Sequence, residues 1–183
     1  LTAGPARPAA PHTDQRWRQI GIVREAGVVH RPAGLRLDLG GSGKGHVADL
    51  AAAELEGAQR WVIDCGGDLR VGGTAPQVVH VAHPLEDAIA ARLTLTAGAV
   101  ATSAIHARAW LAADGTPRHH IIDPATGEPA WTGILAATAL APMVLEAETL
   151  AKTALLSGPE TARRLLAMRG GLIVHRDGEV ELI

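Results

Sequence analysis

Aromatic side chains are almost absent from this chain: four Trp, with no Phe and no Tyr, in 183 residues. Yet 47% of the residues are apolar and only 20% are charged, a balance that supports a buried core and excludes general disorder. Such a core must be built of Ala, Val, Leu and Ile. Stacking platforms for bases are nearly missing, and a net charge of −2 offers no basic field for a phosphate backbone, which argues against a nucleic-acid binder. The length suits one ordinary domain. The single Cys65 cannot form an internal disulfide, so compartment is left open. No apolar run approaches the ~20 residues that a membrane span needs.

Residues 1–18 read as a linker or truncated lead-in. The stretch LTAGPARPAAPHTD has three prolines, no starting Met and no charged-then-apolar signal pattern, as if cut from something longer. Strands are predicted at Gln19–Val23, Gly27–His30 and Leu35–Leu39, the last alternating Leu with Arg36 and Asp38. GGSGKG (40–45) breaks that pattern and opens a helix, HVADLAAAELEGA. Val47, Leu50, Ala51, Leu55 and Ala58 form its expected buried face, with Asp49 and Glu56 opposite and Glu54 a flaw in the apolar stripe. Further strands are predicted at Trp61–Cys65, Asp68–Val71, Val78–His83, Ala90–Thr96, Thr116–Asp123 and Ile134–Ala141. Helices are predicted at Met143–Leu156 and Pro159–Met168, then a closing hairpin from Leu172–Val174 to Val180–Ile183. Runs of strands with clustered helices argue an α+β fold, mostly antiparallel, rather than a regular βαβ alternation.

Four clusters have chemical potential, each with a plainer alternative. GGSGKG between strand and helix makes an anion site from free helix amides plus Lys44, or simply a turn. It matches neither nucleotide template: Asp38 stands where a P-loop needs its first glycine, Gly45 follows Lys44 in place of Ser or Thr, and His46 replaces a dinucleotide glycine. Asp64-Cys65-Gly66-Gly67-Asp68 lets a ligand approach the backbone, with Asp68 as acceptor, or forms a bulge. In the third cluster the hydroxyls of Thr102 and Ser103 and the Arg108 guanidinium suit phosphate, and His120 or Asp123 suits a general base. A Ser–His–Asp hydrolase is disfavoured because no Gly-x-Ser-x-Gly elbow exists. His119 and His120, adjacent on a strand, face opposite ways, so one at most enters a given site. Finally, Glu148 and Lys152 are four apart on a helix, which suits a surface ion pair or a carboxylate for a hard cation.

In order along the chain, five blocks resemble the ApbE family, the FAD:protein FMN transferases. They are LDLGGSGKGHVAD (37–49), VIDCGGDLRVGG (62–73), AVATSA (99–104), HHIIDPATGEPA (119–130) and EAETLAKTALLSG (146–158), with the resemblance running over 19–183. It implies an α+β fold of T-fold type whose preceding part is absent here. It also implies FAD as substrate, a divalent metal, usually magnesium, and transfer of FMN to a threonine hydroxyl of a partner flavoprotein with release of AMP. Gly43 and Lys44 fall in the phosphate block and Gly66, Gly67 and Asp68 in the flavin-nucleotide block. Thr102, Ser103 and Arg108 fall in the third, and His120 and Asp123 in the block expected beside the reacting groups. A carbonyl of the Gly41–Gly43 loop (Gly43) and Glu148 are the implied metal ligands.

Three departures matter. The family's preceding segment is missing, Glu148 replaces Asp, and Lys152 stands where many members carry a Thr or Ser ligand, with Thr153 out of register. An ammonium has no lone pair for magnesium and repels it, so Glu148 is expected to be held by Lys152 and magnesium to bind more weakly than in relatives. A non-catalytic FAD-binding protein and an FAD pyrophosphatase are the alternative functions. An incomplete sheet would leave unpaired edges and apolar surface that self-association would cover. Many family members are exported and membrane-anchored, but this chain carries no visible signal.

Overall fold

The structure is a computed structural model that describes residues 5–55 and 57–183. Its sheets form in chain order. A small ribbon, β1 (Gly21–Val23) with β2 (Val28–His30), precedes helix α1 (Gly43–Ala53). Strands β3 (Arg60–Cys65) and β4 (Asp68–Gly73) form a tight hairpin, and β5 (Gln77–Ala82) and β6 (Ile89–Leu95) a second one. After β7 (Gly98–Ala104) come the short pair β8 (Ala109–Leu111) and β9 (Pro117–His119), then β10 (Ile134–Ala141). Helices α2 (Val144–Ser157) and α3 (Pro159–Leu166) lead to the final hairpin, β11 (Gly171–His175) and β12 (Val180–Leu182). Six strands share one sheet in the order β12-β11-β10-β7-β4-β3, each neighbour antiparallel. The fold is therefore α+β and mostly antiparallel, as its sequence pattern implies.

The shortage of aromatics is met by alanine. Ala99, Ala101, Ala137, Ala139, Ala147, Ala151 and Ala154 are all fully buried, where α1 and α2 lie on the sheet. On the opposite face the β5–β6 hairpin lays Val79 and Val81 against Val71, Val100, Leu172 and Val174. Small side chains bring helix and sheet backbones close together, and that closeness accounts for several departures from the sequence-based expectation. Strand β7, Gly-Ala-Val-Ala-Thr-Ser-Ala, carries little β propensity, so its place at the sheet centre is set by burial on both faces. Conversely, the alternating Leu35–Leu39 forms no strand: Leu37 and Leu39 are exposed and no neighbour pairs with them. Within the expected strand Thr116–Asp123, only Pro117–His119 joins a ladder; beyond it Ile122 makes an isolated bridge to Pro129.

Helix α1 presents a different face from the one its apolar pattern suggests. Val47 and Leu50 are 57% and 58% exposed, whereas Gly45, Ala48 and Ala52 are buried. Glu54 is the C-cap, outside the stripe, and Glu56 lies outside the described residues. The reason is α2: a Cβ on Gly45 would sit 2.7 Å from the Leu145 backbone, so the helices touch main chain to main chain there. At that crossing each helix caps the other. Asp49 of α1 accepts the Val144 and Leu145 amides at 2.9 and 3.0 Å, the N-terminus of α2. Glu148 of α2 accepts the Gly45 amide of α1 at 2.9 Å. Arg70 of β4 adds its guanidinium at 3.5 Å from Asp49. Helix N-termini leave amides without internal partners, and a carboxylate there is stabilised by the helix dipole as well.

The segment read as a lead-in is tied to the body between Arg7 and Ala10. Arg7 and Ala9 donate backbone hydrogen bonds to the carbonyls of Trp131 and Leu156. The Arg7 guanidinium lies 3.3 Å from Asp123, whose other oxygen accepts the Ala10 and Ala125 amides. Burial pushes the Asp123 carboxyl up, but these amides and the Arg7 charge outweigh it and hold it below its ordinary 3.8.

Three stability effects follow from these contacts, two of them at the helix crossing. Gly45→Ala should cost about 1–3 kcal/mol through overpacking against the α2 backbone, and Asp49→Ala about 2 kcal/mol or more as charged caps are lost. Urea unfolding measures both, and wild-type stability in either variant contradicts the crossing described. Asp123→Asn should be less stable than wild type at neutral pH. Because the folded carboxyl titrates below its ordinary value, its contribution is complete above 3.8 and disappears as pH falls through the folded value. The difference in unfolding midpoint should therefore close in acid; a difference that persists there shows that charge is not its origin.

Candidate active site

The hairpin joining β3 to β4 is the first wall of the site. Cys65 pairs directly with Asp68, leaving Gly66 (φ 66°) and Gly67 (φ 89°) as a two-residue turn with both central residues at positive φ. That is a type I′ turn, which demands glycine-like residues whatever else binds nearby. The turn delivers Asp68, only 3% exposed, to the helix-facing side of the sheet. There Lys44 of α1 places its Nζ 2.5 Å from Asp68 Oδ2, and the Thr102 amide donates to Asp68 Oδ1 at 3.4 Å. Thr102 thus enters through its backbone. Its hydroxyl bonds the Thr138 hydroxyl at 2.8 Å, while Ser103, nearly buried, is on the opposite side of the strand. The two hydroxyls expected to act together are therefore separated by the sheet.

The second wall comes from the β8–β9 ribbon and the loop after it. Adjacent histidines diverge as their positions on a strand require. His119 is 1% exposed and meets Trp131 edge-on at 4.5 Å. Its Nδ1 accepts the Ile121 amide at 3.2 Å, and its buried Nε2 has no partner among the described residues. His120 is exposed, its amide bonded to the Arg108 carbonyl at 3.2 Å. Burial lowers the His120 imidazole from its ordinary value; the Arg108 carbonyl opposes this, and the Arg108 and Lys152 charges reinforce it. Asp123, by contrast, is enclosed by Arg7, Ala10 and Ala125 and braces the loop that carries His120. Of the two expected bases, the geometry leaves His120 with an accessible ring.

The third wall is the turn Gly40–Gly43 with α2 behind it. Gly43 begins α1, and its amide donates to the Leu39 carbonyl at 2.7 Å. Glu148 is 4% exposed and caps Gly45, and it forms no ion pair with Lys152, contrary to the expectation from their spacing. Lys152 instead reaches the Gly40 carbonyl at 3.1 Å. Thr153 donates its hydroxyl to Thr149 within its own helix. This donor set does not suit a divalent cation: the Glu148 carboxylate already serves an amide, and an ammonium sits on the Gly40 carbonyl, next to the loop whose Gly43 carbonyl was the expected ligand.

Lys44 opens α1, Lys152 reaches the turn before it, and the charges of Lys152 and Arg108 both act on His120. Cations of this kind suit the charge of a phosphate or diphosphate. Asp49 and Arg7 were missed as structural members of this site. For Asp49 a signal existed in the sequence: Met143 before α2 is a poor N-cap, so its amides need a carboxylate from elsewhere.

Comparison with known proteins gives the family. The FAD:protein FMN transferase of Escherichia coli is 32% identical over 149 residues, which are 77% of this chain and 42% of that protein. The transferase of the same description from Treponema pallidum is 32% identical over 153 residues, 73% of this chain and 41% of the relative. The chain therefore spans less than half the length of these curated relatives. The crystal structure of the ApbE protein from Thermotoga maritima superposes with a TM-score of 0.79 at 29% identity, covering 91% of this chain and 57% of that one. The ApbE family profile matches residues 4–174, and on that breadth the chain belongs to the ApbE family.

Proposed function

We propose that this chain carries the phosphate-binding and proton-transfer part of an FAD:protein FMN transferase. The observation that carries the reading is His120, an exposed residue whose amide bonds the Arg108 carbonyl at 3.2 Å; partial burial of its imidazole, with the Arg108 and Lys152 charges, holds it below its ordinary pKa. A neutral imidazole accepts a proton, and cations around it attract the phosphate whose ester is being made. The names of the relatives from Escherichia coli and Treponema pallidum support the same chemistry.

In this reading FAD binds with its diphosphate toward Lys44, Lys152 and the first turn of α1. Asp68, anchored by Lys44 and the Thr102 amide, accepts a hydrogen bond from the nucleotide. The acceptor flavoprotein presents a threonine hydroxyl, whose oxygen attacks the phosphorus on the flavin side. The P–O bond to the AMP half breaks, AMP leaves with the bonding electrons, and a phosphoester links FMN to threonine. His120 takes the hydroxyl proton and later releases it to solvent. Arg108 and the lysines stabilise the negative charge that accumulates on the phosphoryl oxygens. The Glu148 and Lys152 donor set does not suit the magnesium that the family resemblance implies.

His120→Ala should slow FMN attachment to an acceptor by at least ~100-fold, read as the rate of adduct formation by mass spectrometry. A wild-type rate would remove His120 from the role of base. The acid limb of the rate–pH profile should lie below 6.5, the ordinary histidine value, because the folded imidazole is harder to protonate. Replacing Lys152 by Met takes away one of the charges that lower it and should move the limb upward. A limb that stays in place would show that another group titrates.

A further inference from the structure

The family resemblance implies a divalent cation between the glycine turn and α2, and this chain holds a lysine there. The Lys152 ammonium donates to the Gly40 carbonyl at 3.1 Å. A Cβ added at Gly41 would lie 2.6 Å from the same nitrogen, so the ammonium rests against the bare face of that glycine. Glu148, one helical turn earlier, does not draw it away, since its carboxylate is committed to the Gly45 amide. Lys152 is half-buried, its charge reaches His120, and Lys44, in the first turn of α1, pairs with Asp68. The described structure gives the ammonium one hydrogen bond of the three it can donate.

We propose that Lys152 is the resident cation of this site and that it binds the diphosphate of a dinucleotide without a divalent metal. The proposal rests on the phosphate-site reading above and adds to it which cation does the work. The chemistry is consistent at three points. An ammonium supplies donors where phosphate oxygens need them and no lone pair where magnesium would need one. Its positive charge repels a second cation from the same carbonyls. Glycine at position 41 leaves room for the lysine stem, which any larger residue would displace.

The test is calorimetric titration of the 183-residue chain with ADP as the diphosphate probe, in EDTA and again in magnesium chloride. Wild type should bind ADP in EDTA, with affinity unchanged by magnesium to within about twofold. Lys152→Met should lose at least about tenfold in both buffers, the loss expected for a charge-assisted contact to phosphate. Lys152→Arg, which keeps the charge, should retain most of the affinity. Thermal melts overlaying wild type show that the variants fold. A parallel titration with manganese, followed by electron paramagnetic resonance, should show no stoichiometric site in wild type. The proposal is overturned if wild type binds ADP only with magnesium or not at all, or if Lys152→Met binds like wild type. A stoichiometric manganese site abolished by Glu148→Gln would overturn it too. Metal-free, Lys152-dependent ADP binding in a protein that transfers no FMN would leave this assignment standing and remove the transferase reading instead.

Discussion

Asp49 and Glu148 exchange helix N-termini. Asp49 of α1 takes the first amides of α2, and Glu148 of α2 takes an amide of α1. The exchange is possible only because Gly45 lets the two backbones meet. Unpaired amides at two buried helix starts would destabilise the crossing by several hydrogen bonds, so the reciprocal caps fix both distance and axial register. The rest of the site depends on that register. It sets where the Gly40–Gly43 turn lies, how far Lys44 must reach to Asp68, and that Lys152 arrives at the Gly40 carbonyl. Glu148 was expected as a metal ligand, yet its structural task accounts for a buried carboxylate at this place.

A second constraint works on the other wall. The Arg7–Ala10 segment, with the Asp123 carboxylate, closes the loop from His119 to Ala130. Asp123 thereby braces the loop that carries His120. Division of labour between two polar residues of one short block is set by burial: Asp123 is 3% exposed and braced by amides, and His120 is accessible beside cations.

Much of this was legible in the sequence where local rules dominate. Strand β10 falls on Ile134–Ala141 as its apolar run suggests. The Gly66–Gly67 pair stops β3 as expected, though as a hairpin turn in place of the bulge, Pro159 opens α3, and adjacent histidines were bound to diverge. What local rules missed was decided by contacts far apart in sequence. The exposed face of α1 misled because hydrophobicity was read without the glycine at the crossing, where close approach outweighs the transfer energy of Val47 and Leu50. The alternation at Leu35–Leu39 had no neighbour to pair with, and the alanines of β7 carry no strand signal without the helices that bury them. Glu148 and Lys152 satisfy the spacing of an ion pair, but each finds a partner on α1 or its turn, more than a hundred residues earlier. The pattern of blocks identified the family without revealing these pairings, because a motif records which residues occur and not which neighbour each one serves.

The function proposed for this chain is phosphoryl transfer from FAD to a protein hydroxyl at His120. Its most direct measure is stoichiometry: AMP released and FMN attached, counted together by chromatography and intact mass after incubation with FAD and an acceptor flavoprotein. The expected result is one AMP for each FMN found on the acceptor's threonine, and no release when that threonine is replaced by alanine. Equal amounts of free FMN and AMP with an unmodified acceptor would contradict it, since water rather than threonine would then be the nucleophile.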